Sequence, residues 1–281
     1  MRLQNKRYQC DIACVSKRAS KQITLEFALW SDTWLLSFHP EKLKKVTMSR
    51  NEFQVERRYC VGGDAVKNVK MEVDLGVCID EDLNFEEHRK LKIEKANGMV
   101  GAMRRSFKFL DSYTFKKIYK PMVRSHLENA VPVWFPYLRK DIDLIESVQK
   151  RATKMVPGTK GMDYEERLRF LNLSTLVYRR HRGDLIEMYK MLNGLYDDEV
   201  IPPIELRDDQ VERSNRGHSK QIFISRSNTD LRANYFTRRV APVWNGLPED
   251  IVSAVSVDSF KTELDKLWKN HPMKYDCSES V

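Results

Sequence analysis

The chain has 281 residues, a hydrophobic share of 41% and 12 Phe, 11 Tyr and 5 Trp. That is enough apolar surface for one large domain or two of ordinary size, and too much for a disordered polymer. No stretch approaches the roughly 18 uncharged apolar residues of a membrane span, and the N-terminal MRLQNKRYQCDIACVSKRASK lacks the apolar run of a secretory signal. The net charge of +9 is held unevenly: residues 89–160 carry 17 Lys and Arg against 6 Asp and Glu, a surplus of +11 that leaves −2 elsewhere. So concentrated a positive field attracts a polyanion, although a solvated helical face has the same composition.

The first 24 residues show no clear pattern. Cys10 and Cys14 offer half a zinc site, but no second Cys/His pair stands at ligand spacing, so no metal is expected. The five cysteines, Cys10, Cys14, Cys60, Cys78 and Cys277, are odd in number and scattered, which reads as reduced thiols in an intracellular compartment, nuclear or cytoplasmic. Ile23, Phe27, Trp30 and Trp34 recur at helical spacing and predict an amphipathic helix ending near Phe38-His39-Pro40. Lys45-Val-Thr-Met48 predicts a short strand, and the Val61-Gly-Gly-Asp64 turn a hairpin between residues 53–60 and a further extended stretch. Val73-Asp-Leu-Gly-Val-Cys-Ile79 reads as an apolar strand with its own Gly.

From about residue 88 to 195 the spacing is helical. Leu91, Ala96, Met99, Val100 and Met103 form one stripe, and Phe115, Ile118, Tyr119, Met122 and Val123 a second. Ile142, Ile145, Val148, Ala152 and Met155 form a third, expected to start at an Asp141 cap and stop at Pro157-Gly158. A fourth, capped by Ser174, runs through Leu185, Ile186 and Tyr189 to Asn193-Gly194. These stripes are core. The other faces repeat cations: Arg104, Arg105 and Lys108, then Lys116, Lys117, Lys120 and Arg124, then Lys150, Arg151 and Lys154, interleaved by Phe107, Phe109 and Tyr113. Cations with aromatics between them suit a groove that grips a phosphate backbone and stacks on an exposed base. Residues 197–230 lose periodicity and read as a linker or mobile loop. Beyond it come a helix over 234–244, a turn at Asn245-Gly-Leu-Pro248, and a last helix capped at Ser256 that uses Phe260, Leu264, Leu267 and Trp268.

Several motifs occur in one order: Trp30-Ser-x-x-Trp34-x-x-x-Phe38-x-x-x-Lys42, Asp74-Leu-Gly-Val-x-Ile-Asp80-x-x-Leu-x-Phe-x-x-His88, and Phe115-x-x-x-Tyr-Lys120-x-x-Val-Arg124-x-x-Leu-Glu128. Val133-Trp134-x-Pro136, Lys140-Asp-Ile142, Tyr164-x-x-Arg-Leu168, Arg179-Arg-x-Arg-Gly-Asp-Leu185, Tyr189-Lys190-x-Leu-Asn-Gly194, Phe236-x-x-Arg239 and Trp244-Asn-x-Leu-Pro248 follow. Together, over about residues 25–268, they resemble the C-terminal part of jockey-like non-LTR retrotransposon reverse transcriptases. The resemblance implies an α+β, mainly α chain: a small antiparallel palm remnant over 25–87, a helical thumb over 88–196, the polar linker over 197–230, a C-terminal helical element over 231–270, and a tail over 271–281. It implies that Lys42 lies near a leaving pyrophosphate, that Leu75 and Gly76 form a primer grip, and that Arg104, Arg105, Lys150, Arg151 and Lys154 contact the phosphates of an RNA–DNA template–primer duplex. His39 and Leu43 depart from the family's usual Asn and Cys or Thr, which weakens the reading around Lys42.

Nucleotide transfer needs two Mg²⁺ ions held by clustered aspartates. The family's Asp-bearing strand and Tyr/Phe-x-Asp-Asp hairpin fall before the point where the resemblance begins. Asp11 is isolated, Tyr196-Asp-Asp198 follows a helix end without a strand behind it, and Asp208-Asp209 sits in the polar loop. The expectation is therefore a fragment that holds nucleic acid without synthesising DNA by itself and without a cofactor of its own. A non-enzymatic helical RNA/DNA-binding module and a protein-interaction module are the alternatives. The six histidines, His39, His88, His126, His181, His218 and His271, stand singly, and His88 reads as the cap of the first thumb helix.

Overall fold

In a computed structural model, residues 29–31, 33–35, 39, 42–48, 59–61, 64–207 and 217–279 are described. The chain divides into two units, Met1–Phe85 and Glu86–Val281. Its class is α+β, mainly α, with short strand pairs in the first unit and helices throughout the second.

In the first unit, residues 29–31 and 33–34 are helical, as the Trp30/Trp34 spacing predicts; Ile23 and Phe27 lie outside the described residues. Strand β1 (Lys44–Val46) runs parallel to β4 (Lys67–Val69). Strand β2 (Cys60–Val61) pairs antiparallel with β3 (Asp64–Ala65), so the predicted hairpin forms, although most of its first arm lies outside the described residues. Lys44 meets Glu72 at 2.8 Å and Lys45 lies 4.5 Å over the Tyr59 ring, so both lysines of β1 are engaged within the unit.

The stretch predicted as one strand over 73–79 is instead a hairpin of β5 (Met71–Asp74) and β6 (Val77–Asp80). Leu75 and Gly76 form its two-residue turn with φ of +46° and +79°, the left-handed pair whose twist suits flanking strands. Leu75 is 72% exposed, which excludes a buried strand position. An added Cβ at Gly76 would meet nothing within 4 Å, so Gly is required there by φ, not by close approach. Asp80 closes the unit by accepting from the backbone N–H groups of Asp82, Asn84 and Phe85 at 3.1, 3.0 and 2.8 Å.

The second unit opens with α1 (Glu86–Ser106), acidic in its first turn and basic in its last, as the helix dipole favours. His88 is not a cap. It is buried in the first turn with its ring 5.2 Å from Trp134. Helix α2 (Ser112–Tyr119) is capped by Asp111, which accepts from Tyr113 and Thr114 N–H. Pro121 has no N–H to continue the ladder, and the chain passes through a π-helical turn (Lys120–Arg124) into α3 (Ser125–Glu128) and then α4 (Val131–Trp134).

Helix α5 (Arg139–Thr153) begins two residues before the predicted cap, because Asp141 is buried against Arg89 of α1 at 2.9 Å. After α6 (Tyr164–Leu171), α7 (Leu176–Leu192) is capped by Thr175, not Ser174: Thr175 Oγ1 accepts from Tyr178 N–H at 3.0 Å and donates to Met273 O at 2.6 Å. The chain ends with α8 (Asp230–Ala233), α9 (Phe236–Asn245), α10 (Glu249–Val252), α11 (Val257–Leu267), where Ser256 is the cap as predicted, and a 3₁₀ turn (Pro272–Lys274).

The C-terminal helices do not form a separate element. Leu185, Met188 and Tyr189 of α7 share one core with Val240 and Trp244 of α9 and Phe260 and Leu264 of α11. The second half of the supposed linker is also bound to α9. Asn245 brackets Ile222 through two 2.8 Å hydrogen bonds, Trp244 Nε1 donates to Lys220 O, and His218 contacts Trp244 O. Residues 208–216 lie outside the described residues. Among the described residues no helix is long and apolar enough to cross a membrane.

Polar groups inside the second unit fix how its helices meet. Glu146 on α5 is 0% exposed; its two oxygens accept from Leu176 N–H at 3.2 and 3.1 Å, and one also accepts from the Tyr164 hydroxyl. Gln149, one turn on, accepts from the Tyr119 hydroxyl and donates to Tyr164 and to Ser174 O. Burial pushes the Glu146 carboxyl up, while the nearby Arg180 guanidinium and the Tyr164 and Leu176 donors oppose that. Replacing Glu146 by Ala strands those donors and leaves Arg180 without its nearest compensating charge. The expected loss is about 3–5 kcal/mol, read from the denaturant midpoint.

Burial also lowers two imidazoles, His88 and His181, to about 4, with neighbouring Lys92 and Arg89, and Arg180 and Arg239, acting in the same direction. The neutral ring is the folded form, so this contribution is complete above about 6.5, the ordinary value, and is lost as pH falls toward 4. Unfolding should take up protons over that window, and His181→Gln should reduce the pH slope of stability there; an unchanged slope contradicts the assignment.

Candidate nucleic-acid interface

The C-terminal halves of α1 and α5 pack side by side, and between them lies a groove of about 660 Å³. The buried stripes Ala96, Val100 and Met103 on α1 and Ile145, Val148 and Ala152 on α5 hold the two helices in contact, so their remaining faces form the walls. Arg104 and Lys108 stand on one side and Arg151 and Lys154 on the other, with Phe107 also in the lining. Among the described residues no Asp or Glu lines it.

Three of the five predicted phosphate contacts, Arg104, Arg151 and Lys154, therefore share one groove. Arg105 is exposed at its margin, its guanidinium lying over Gly101, where an added Cβ would stand 3.4 Å from Nη1. Lys150 is turned away: half-buried, it lies 5.3 Å over the Tyr164 ring on the side of Cys277. Helical rotation explains the split, because residues 150 and 151 are about 100° apart on α5. Lys108 and Asn97, which donates no charge but accepts from Arg151 at 3.2 Å, join the groove without having been singled out as contacts.

Pairing separates these cations from five arginines of the same unit. Arg89 is tied to Asp141, Arg124 and Arg179 to Glu128, Arg182 to Asp265 and Arg239 to Asp184. Arg239 is further held between the Phe135 and Phe236 rings at 4.4 and 5.4 Å. Among the described residues, Arg104, Arg105, Lys108, Arg151 and Lys154 have no carboxylate within ion-pair distance. Arg124, counted with the basic faces in the sequence, belongs to the paired class, and its burial lowers its pKa. This division was not visible in the sequence, where all these side chains look alike.

In the first unit, Lys42 is exposed, its N–H bonded to His39 O, and the Leu75-Gly76 turn stands at the exposed tip of the β5–β6 hairpin. Among the described residues, the aspartates that could be candidates for a pair of magnesium ions are engaged elsewhere or stand apart. Asp80 is occupied by three backbone N–H groups, Asp184 by Arg239, and exposed Asp197 accepts only from Glu199 N–H. Among the described residues no three His, Cys, Asp or Glu side chains converge on a point, while Asp11, Asp208 and Asp209 lie outside them.

Compared with protein-family models, curated proteins and solved structures, the chain matches none of them.

Cations placed for a ligand, not for the fold, should be dispensable to stability. The triple substitution Arg104→Ala, Arg151→Ala, Lys154→Ala is expected to keep the denaturant midpoint within about 0.5 kcal/mol of wild type or raise it by relieving repulsion. Arg239→Ala, by contrast, should cost about 3 kcal/mol or more, because it leaves Asp184 buried and unpaired. Equal losses in the two variants would remove the distinction.

Proposed function

We propose that this chain holds the phosphate backbone of a nucleic acid, an RNA–DNA template–primer duplex, in the manner of the palm end and thumb of a non-LTR reverse transcriptase, and that it does so without catalysing synthesis itself. One observation carries the reading: four unpaired cations converge on one groove that contains no carboxylate. Guanidinium and ammonium groups on long flexible stems contact phosphate oxygens and ignore bases, so the grip is independent of sequence. Release of condensed counterions supplies the free energy. The motif order described above supports the polymerase assignment, and the exposure of Lys42 and of the Leu75-Gly76 tip is compatible with contact to a primer strand.

The full chain should bind RNA–DNA duplexes of unrelated sequence with equal affinity and with a steep negative log–log dependence on salt, each phosphate contact contributing about 0.7–0.9 to the slope. The Arg104→Ala, Arg151→Ala, Lys154→Ala variant should lose affinity and flatten that slope by about 2–3 units. A flat salt response, or no binding at low salt, would defeat the proposal and favour a protein-interaction module.

A further inference from the structure

The segment that leaves the groove carries an unusual amount of exposed aromatic surface. Phe107 is 39% exposed, Phe109 71% and Tyr113 68%, three aromatics within seven residues. Single exposed apolar side chains are ordinary, but three together on a short segment are not explained by the fold. The segment is also firmly held. Leu110 is buried in the core, and Asp111 caps α2 through the N–H groups of Tyr113 and Thr114, so the rings project from a fixed backbone. Cations accompany each ring: Lys108 stands between Phe107 and Phe109, and Lys117 lies 5.5 Å over Tyr113. Phe107 and Lys108 both line the groove, so the aromatic segment continues the phosphate-binding surface.

The partner must therefore combine regularly spaced negative charge with flat apolar faces. A paired duplex hides its base faces; a single strand exposes them. We infer that residues 107–113 are a stacking platform for unpaired bases, so that the preferred ligand is a junction between duplex and single-stranded nucleic acid, its phosphates on the groove cations and its overhanging bases on Phe109 and Tyr113. This rests on the groove being a phosphate site. An anionic membrane offers charge and apolar depth as well, but a flat bilayer does not enter a concave groove, whereas a strand does.

The full chain is titrated with a blunt RNA–DNA duplex, with the same duplex bearing a single-stranded extension that contains 2-aminopurine, and with phosphatidylserine vesicles. The extended duplex should bind about tenfold tighter than the blunt one, the scale of stacking one base, and the 2-aminopurine emission should be quenched. F109A/Y113A should bring the two affinities together with the salt slope unchanged, while Phe109→Trp should keep the preference. Equal affinities for wild type with blunt-duplex binding intact would overturn the stacking platform and leave the phosphate groove standing. Failure to bind either duplex would overturn both. Vesicle binding abolished by F109A/Y113A, with no preference for the extension, would reassign the surface to a membrane.

Discussion

Glu146 lies wholly buried on α5 with both oxygens facing the first turn of α7, and the positions of the surrounding helices follow from it. A helix N-terminus presents unpaired N–H groups and a partial positive charge, and a buried carboxylate satisfies both demands at once. The same carboxylate accepts from Tyr164 of α6, and Gln149 on the next turn extends the contact to Tyr119 of α2. Four helices are thus registered by two neighbouring side chains. The Arg180 guanidinium makes no hydrogen bond among the described residues and is compensated chiefly by the fields of Glu146, Glu128 and Asp184. In a low-dielectric interior that compensation depends on every partner staying in place, which makes the arrangement rigid. Arg151 and Lys154 lie at the far end of α5, so this hub also fixes one wall of the groove.

The positive charge of the second unit has two origins that a charge count cannot distinguish. Arg179 and Arg239 pair with Glu128 and Asp184 and so join helices distant in sequence, while Arg124 reaches the same Glu128 from one turn away. Arg104, Lys108, Arg151 and Lys154 have no carboxylate partner among the described residues, and Arg151 donates to the neutral Asn97 amide. Keeping like charges together costs free energy in the chain alone, a cost that the polyanion of the proposed function would offset.

Much of the helical part was legible because its apolar residues recur at the helical period: Ala96, Val100 and Met103, then Phe115, Tyr119 and Val123, then Ile145, Val148 and Ala152, then Leu185 and Tyr189 are buried, whereas Leu91 and Met122 of the same stripes are exposed. Boundaries and caps were less so. Asp141 has the chemistry of a cap, but a buried Arg89 competes for it, and that partner lies 52 positions upstream. Ser174 and Thr175 are equally good caps on paper; docking of the Met273 segment selects Thr175. Leu75 seldom adopts a left-handed conformation, so the apolar run around it hid a turn. The polar composition of residues 217–222 suggested a loose linker, yet Asn245 and Trp244 bind its backbone, and nothing local encodes that. For the groove, the cations were legible as a class. Which of them are unpaired, and that Lys150 turns toward Tyr164, depended on packing that has no one-dimensional signature.

The groove lies where two helices end, and this limits how strongly it can bind. Each C-terminus carries roughly half a negative charge, which stabilises cations in the last turn and partly neutralises them. Four cations beside two such ends therefore act as about three. On the proposed function, a field of that size would weaken quickly as salt rises and would hold no single phosphate tightly. Tighter retention must then come from contacts that do not scale with charge. The segment that follows the groove-lining Phe107 carries Phe109 and Tyr113, side chains able to supply them, whose rings are exposed and whose backbone is anchored by Leu110 and Asp111.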